Sequence, residues 1–309
     1  MDLMIVLLHE MLDIDDDEEV FIAEESLADL ISLPVTMEIL RSGLDLRGYI
    51  EIREDRGRDD VGIGGDGPLL GVALKLAEPA DIWLLVTDRY GVSHPLEALP
   101  KGSASKVVTT VERRFFEGLV EGLSHALKEE LFCESCPIQS PPLFVPEREE
   151  SLIEFLCPLL PVGGEVLEVC SGSGMATQAL KKLGFRPWTA DLDSCEICMG
   201  LKEGYIDPDR AMVLDARLLD RFFYQREFDA VVGFMVGLID EVNWPLWKEV
   251  LITSSKLAND MVIYTTYTER EARRVADALR SEGWACEVTA NLDDLGIYDR
   301  WACTGRRRR

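Results

Sequence analysis

The second half of the chain is predicted to fold as an α/β domain with a seven-stranded, mostly parallel, doubly wound sheet. Short apolar runs alternate there with helical stretches, a pattern typical of right-handed crossovers between parallel strands. The last two runs lie close together in sequence and predict an antiparallel hairpin at the sheet edge. The seven runs are 165–169, 188–190, 212–214, 228–235, 261–267, 284–290 and 299–304.

Helix signals separate these runs. A helix is predicted over 147–160, and another over 175–183, where Gly184 ends it. The clearest helix follows the fifth run, because Thr268 and Glu271 form a capping-box pattern and Gly283 supplies a stop. Its apolar face consists of Ala272, Val275, Ala276 and Leu279.

Residues 1–132 are predicted to form a smaller α/β or α+β domain. Its pattern indicates helices over 24–30, 34–42 and 106–131, an exposed strand over 49–53 and a buried strand over 82–87. Residues 133–146 contain four prolines and little periodicity, so this segment is the predicted linker, and 147–309 is the second domain.

Composition narrows the classes of partner and compartment. The net charge is −25, from 57 acidic and 32 basic side chains, which repels a phosphate backbone and disfavours nucleic acid. The basic cluster 306–309 is interpreted as a solvated tail. No apolar run is long enough to span a membrane and no basic segment precedes the apolar start, so a cytoplasmic protein with reduced cysteines is expected.

A glycine loop follows the first strand of the second half. The strand 165–169 runs into Cys170, Ser171, Gly172 and Gly174, and small residues there let a ligand approach the backbone. The next strand ends at Asp191, roughly 20 residues on, the spacing at which an acid accepts ribose hydroxyls.

These residues resemble the class I S-adenosylmethionine-dependent methyltransferase family over about residues 146–305. In that family the first strand carries an acid before a Gly-x-Gly loop, the second strand ends with an acid, and Asp-Ala follows the third. The corresponding residues are Glu168, Gly172, Gly174, Asp191, Asp215 and Ala216, with 228–232 as the fourth strand.

The resemblance implies S-adenosylmethionine as cofactor and a role for each matching residue. Glu168 would orient the loop and the methionine amino group, Asp191 would hold the ribose, and Asp215 would bond the adenine amino group. The predicted cofactor-binding set is Glu168, Cys170, Ser171, Gly172, Gly174, Asp191, Leu192, Asp215, Ala216 and Phe234. Cys170 departs from the family, which usually has glycine there; it is either a small buried side chain or a thiol with a redox or metal role.

A second glycine string, 62–67, also fits a dinucleotide pattern, with Asp88 about 20 residues later. The residues before it, 54–60, are charged and turn-like, so no strand delivers the loop into a sheet. A surface loop is the favoured interpretation.

No sequence motif identifies catalytic or metal-binding residues. Methyl transfer is an in-line displacement that needs a base only for a protonated acceptor. The position after the fourth strand, 233–236, lacks the polar-Pro-Pro-aromatic motif of adenine or glutamine N-methylation, which argues against those acceptors. Asp240 and Glu241 are candidate bases, or they cap the next helix.

The thiols Cys133, Cys136 and Cys157 are candidate ligands for zinc or an iron–sulfur cluster, although no second pair has zinc-ribbon spacing. Cys195 and Cys198, one helical turn apart, are expected to face the core. The sequence therefore predicts a methyltransferase whose acceptor is a protein side chain or small metabolite, selected with help from residues 1–132. A non-catalytic S-adenosylmethionine-binding regulator or scaffold, and a metal-assisted enzyme, stay open as alternatives.

Overall fold

The computed structural model describes residues 6–15, 17–42, 46–55, 67–77, 81–98, 106–129, 131, 145–291 and 298–307. Two compact units divide the chain, Met1–Glu134 and Ser135–Arg309, and each contains its own sheet. Every helix within these described ranges is too short or too polar to cross a membrane.

The first unit contains a mixed sheet. Its elements are α1 (Val6–Leu12), β1 (Val20–Ile22), α2 (Asp29–Ser32), α3 (Pro34–Ser42), β2 (Leu46–Glu54), β3 (Leu69–Leu76), β4 (Trp83–Val86), β5 (Lys106–Thr110) and α4 (Glu112–Lys128). The strand order is β1-β4-β3-β2-β5. The β1–β4 and β2–β5 pairs are parallel, whereas β3 runs antiparallel to both of its neighbours.

Helices cover both faces of this sheet. On one face α4 approaches β3 so closely that a Cβ at Gly71 would lie 2.9 Å from the ring of Phe115. On the other face, α3 contributes Ile39 and Leu40 to a cluster with Val72 and Leu74 of β3. The alternation of residues along β3 therefore divides its side chains between two helical layers.

Three predictions for the first unit are wrong in part. Residues 106–110 form β5, not the start of the long helix, because their β-branched side chains suit a strand paired with β2. Residues 24–28 form bends and turns instead of a helix. The carboxylate of Glu24 is buried, and it accepts the backbone N–H groups of Val35 and Thr36 at the start of α3. The strand 49–53 is buried at its centre, since β2 lies between β3 and β5.

The second unit has the predicted alternation of strands and helices. Its elements are α5 (Pro146–Leu156), β6 (Val166–Val169), α6 (Met175–Lys182), β7 (Trp188–Asp191), α7 (Ser194–Lys202), β8 (Ala211–Val213), β9 (Phe228–Gly233), α8 (Trp244–Leu257), β10 (Ala258–Thr266), α9 (Glu269–Ser281), β11 (Trp284–Ala290) and β12 (Trp301–Arg307). The capping box of α9, formed by Thr268 and Glu271, is present as predicted.

Among the described residues these strands form a seven-stranded sheet in the order β11-β12-β10-β9-β6-β7-β8. The pairs from β10 to β8 are parallel, whereas β12 runs antiparallel to β10 and β11. The predicted fold is confirmed: this is the mostly parallel, doubly wound sheet with an antiparallel edge hairpin that characterises class I methyltransferases.

Helices pack on both faces of the second sheet. On one face α5 and α6 bury apolar side chains against β6, β9 and β10. The opposite face is covered by α8, where the Ser254 hydroxyl lies 2.8 Å from that of Tyr264 on β10. The adjacent Ile263 belongs to the first face, as the two-residue period of a strand requires. These layers leave the ends of the strands, where the connecting loops begin, as the site for ligands.

Candidate functional site

Three neighbouring parallel strands of the second unit end side by side. Val169 of β6 pairs with Ala190 of β7, and Asp191 pairs with Val213 of β8. The residues that follow each strand therefore meet at one edge, which we call the carboxyl edge. The glycine loop, Asp191 and Asp215 lie together there.

The glycine loop has an unusual backbone. Cys170, Gly172 and Gly174 have φ angles of 57°, 54° and 87°, in the left-handed region. For Cys170 this conformation costs about 1–2 kcal/mol, a cost that a glycine at this position would avoid. A Cβ at Gly174 would lie 2.6 Å from a side-chain carbon of Ile206, so only glycine fits there.

Gly172 borders open space. Among the described residues other than its chain neighbours, a Cβ placed on it would find only the Glu196 carboxylate, 3.7 Å away, within 4 Å. Its backbone N–H donates to Asp191 Oδ2 at 2.8 Å, and the other oxygen of Asp191 accepts from Asp193 N at 2.9 Å. Asp191 thus holds the loop of β6 and the loop of β7 together, beside a stretch of backbone that a ligand can approach.

Glu168 is a buried acid beneath this loop. It is 1% exposed, and its described hydrogen bond is from the Thr177 hydroxyl, at 2.7 Å. The pKa of Glu168 is raised from 4.5 to about 8, chiefly by burial and to a smaller extent by Asp191 and Asp299, whereas Thr177 and Arg148 oppose the shift. The carboxyl group is consequently protonated at neutral pH unless a cation is brought to it.

Cys170 lies among the three acids. Burial raises the pKa of its thiol to about 12, and Asp191, Asp215 and Glu168 add to the shift. The three acidic residues are therefore near enough to Cys170 to act electrostatically on its thiol. Because a protonated thiol is a poor nucleophile and a poor metal ligand, the pKa favours the interpretation of Cys170 as a small packed side chain.

The other predicted cofactor residues differ in accessibility. Leu192, directly after β7, is 70% exposed, whereas Ser171, Ala216 and Phe234 are buried. Phe234 packs in the hydrophobic core with residues of α5 and α6, so its side chain belongs to that core and not to the surface of the candidate site. Asp215 accepts hydrogen bonds from the backbone and guanidinium of Arg217, and the side-chain bond, its largest influence, lowers the pKa of Asp215.

The candidate bases Asp240 and Glu241 both already accept hydrogen bonds from other groups of the protein. Asp240 accepts the backbone N–H groups of Val242 and Asn243, which lowers its pKa. Glu241 forms ion pairs with Arg274 and Arg270, both at 2.8 Å, and the bond from Arg274 lowers its pKa most. Carboxylates held in this way are weak bases, so the geometry favours structural roles, Asp240 in the turn before α8 and Glu241 in exposed ion pairs with α9.

The cysteines do not form a metal site within the described residues. No group of three or more Cys, His, Asp or Glu side chains lies there in positions that could hold an ion. Cys157 is exposed at the end of α5, Cys198 is buried and Cys195 is partly buried. The candidates Cys133 and Cys136, and residues 62–66 of the second glycine string, lie outside the described residues.

A polar network at the same edge was missed by sequence reasoning. Arg148 of α5 donates to Asp299, just before β12, at 2.6 Å, and Asp299 also accepts from the hydroxyl of Thr265 at the end of β10. No local motif marks these residues, because Arg148 and Asp299 are 151 positions apart. Both groups influence Glu168, and Arg148 also contacts Met175, the residue after the glycine loop.

Comparisons with known proteins give similar structures only. No protein-family model and no curated protein sequence matches the chain. A putative S-adenosylmethionine-dependent methyltransferase of Methanococcus maripaludis is similar, with 12% identity, a TM-score of 0.43, and coverage of 60% of this chain and 93% of that one. The magnesium protoporphyrin IX methyltransferase of Synechocystis, solved with bound S-adenosylmethionine, has 13% identity, a TM-score of 0.41, and coverage of 62% and 97%.

A third similar structure is the ribosomal protein L11 methylase of Lactobacillus delbrueckii subsp. bulgaricus, with 17% identity, a TM-score of 0.38, and coverage of 53% of this chain and 80% of that one. All three likenesses are loose. The fold assignment therefore rests on the strand order and register of the sheet itself.

Proposed function

We propose that the second unit binds S-adenosylmethionine at the carboxyl edge and that the protein transfers its methyl group to a protein side chain or a small metabolite. The observation that carries this proposal is the convergence of the glycine loop, Glu168, Asp191 and Asp215 at adjacent strand ends. In a sheet of this topology, ligands bind outside the carboxyl ends of the strands.

The chemistry of these residues fits the cofactor. The sulfonium and ammonium groups of S-adenosylmethionine are cations, and three acids at this edge act electrostatically on the Cys170 thiol. Asp191 would accept the ribose hydroxyls, and Asp215 the adenine amino group once Arg217 releases an oxygen. The open backbone at Gly172 would admit the ligand without a steric conflict.

Bound S-adenosylmethionine supplies an electrophilic methyl group on sulfur. The chain's own part is to align the acceptor with that group and to exclude water. Since Asp240 and Glu241 are held as weak bases, an acceptor with an available lone pair suits the described residues best. The net charge of −25 favours a protein or metabolite over RNA, and residues 1–132 would help to select it.

Calorimetry with S-adenosylhomocysteine, the demethylated product, tests the binding step. We expect the wild-type protein to bind it and Asp191→Ala to weaken binding by about 1–3 kcal/mol through lost hydrogen bonds. Asp193→Ala is the matched control: its carboxylate caps α7 through the N–H groups of Cys195 and Glu196, so its loss should lower stability and leave affinity near wild type. Equal affinity of wild type and Asp191→Ala would refute the ribose assignment.

Transfer of a labelled methyl group to a broad panel of acceptors tests the second step. Turnover with any acceptor supports an enzyme, and its loss in Asp191→Ala locates the activity in this site. Binding without turnover over the panel would instead support the regulator or scaffold.

A further inference from the structure

Arg148 and Asp299 form a largely buried ion pair beside the candidate site. Their side chains are 15% and 5% exposed, respectively, and Arg148 Nε lies 2.6 Å from Asp299 Oδ2. The other oxygen of Asp299 accepts from the Thr265 hydroxyl, and its backbone N–H meets the sulfur of Met235 at 2.8 Å. Asp299 is thereby held by β10 and by the segment after β9, and it holds the guanidinium in turn.

The guanidinium lies close to the glycine loop. Its Nη1 is 3.3 Å from the sulfur of Met175, the first residue of α6 directly after Gly174. Its Cζ atom lies 5.0 Å from the centre of the Tyr298 ring. Its charge also acts on the buried Glu168, whose pKa it lowers against the larger effect of burial.

The outer edge of this guanidinium has hydrogen-bonding capacity left. Nε is used by Asp299, Nη1 faces a thioether, which is a weak acceptor, and Nη2 has no acceptor among the described residues. A carboxylate presented to such an edge accepts two parallel N–H bonds. Arg148 is therefore suited to an anionic group that would lie next to Glu168.

An α-amino acid group matches this pair of side chains. It carries a cationic ammonium group and an anionic carboxylate on one carbon atom, and here a buried acid and an arginine lie near the same loop. S-adenosylmethionine ends in such a group.

We propose that Arg148 binds the carboxylate of the methionine moiety, with Asp299 and Thr265 as the residues that position it. This inference rests on the proposed function, because it requires S-adenosylmethionine at the carboxyl edge. It assigns to α5 and the segment before β12 a part in cofactor binding that the glycine-loop motif does not include.

Two probes separate this role from a structural one. S-adenosylhomocysteine carries the amino acid group, whereas 5′-methylthioadenosine shares its adenosine and sulfur but lacks that group. We expect Arg148→Gln to weaken S-adenosylhomocysteine binding in calorimetry about tenfold to hundredfold and to leave 5′-methylthioadenosine binding unchanged. Arg148→Lys should recover part of the lost affinity, because lysine keeps the charge without the paired donors.

Arg186→Gln is the matched control, since it breaks an arginine–aspartate ion pair before β7, at the opposite edge of the sheet. It should change neither affinity. Equal weakening of both ligands by Arg148→Gln, or no weakening of either, would overturn the proposal. Binding of neither ligand by the wild-type protein would refute the proposed function itself.

A measurement on the wild-type chain keeps the test valid if Arg148→Gln fails to fold. The decarboxylated analogue of S-adenosylhomocysteine retains the amine and lacks only the carboxylate. We expect it to bind at least tenfold more weakly, whereas equal affinity for the two ligands would show that the carboxylate has no partner here.

Discussion

Glu168 is the residue whose protonation depends most on its surroundings at the carboxyl edge. Its carboxyl group is buried and accepts a hydrogen bond from Thr177 of α6, and its pKa of about 8 leaves it neutral at pH 7 in the unliganded protein. The motif predicted an acid at this position but not its protonation state. That state depends on burial and on Arg148 and Asp299, which are distant in sequence.

Stability should depend on pH through Glu168. Its pKa is raised from 4.5 to about 8, so the folded protein holds the proton more tightly than the unfolded chain. The stabilisation is complete below pH 4.5 and is lost as the pH rises through 8. Glu168→Gln keeps a neutral side chain of the same shape, so relative to wild type it should gain a few kcal/mol between pH 5 and pH 9, at about 1.4 kcal/mol per pKa unit.

Thermal unfolding of both proteins at the two pH values measures this gain. Glu149→Gln is the control, because Glu149 is also a buried acid but is paired with Lys182. It should destabilise the protein at both pH values. A difference in Tm between wild type and Glu168→Gln that does not change with pH would contradict the assignment.

Local sequence patterns predict the helices and strands of the second unit well, whereas they predict those of the first unit only in part. Each strand from β6 to β10 is a short buried run bounded by helices, so hydrophobic periodicity identifies it. In the first unit, β5 and α4 are separated only by Val111, and the apolar spacing of the helix conceals the strand before it. Long-range pairing with β2, which no local pattern contains, decides the conformation of residues 106–110.

The packing of α7 on the glycine loop can be tested by a substitution at Gly200. A Cβ at Gly200 would lie 2.6 Å from the backbone oxygen of Ser173, so Gly200→Ala must displace either α7 or the loop. We expect it to cost about 1–3 kcal/mol of stability and to weaken S-adenosylhomocysteine binding in calorimetry.

Thr268→Ala serves as the control, because it removes the N-cap of α9 at a cost of about 1 kcal/mol. It should leave the affinity unchanged, although it also lowers stability. Wild-type affinity in Gly200→Ala would show that the loop does not depend on this contact.

At the scale of the whole molecule, the fold gathers residues that are distant in sequence. The acids at 168, 191 and 215 come together because β6, β7 and β8 are adjacent and parallel. Alternating strands and helices predicted a parallel sheet and an edge hairpin. They did not indicate that β12, the last strand, lies between β10 and β11, since side-chain periodicity carries no information about strand order.

The same limit explains what sequence reasoning missed at the candidate site. The glycine loop and its acids follow strands at recognisable spacings, so the residues of one half of the site could be predicted. Arg148 and Asp299 meet only because α5 and the segment before β12 reach the same edge. Tertiary packing alone creates that contact.

A crystal structure of the full chain with S-adenosylhomocysteine would show directly whether the cofactor binds at the carboxyl edge. We expect the adenosine over the glycine loop, its ribose hydroxyls on Asp191 and its amino acid group between Glu168 and Arg148. Ligand bound at another surface, or an edge at which side chains fill the space beside Gly172, would contradict it.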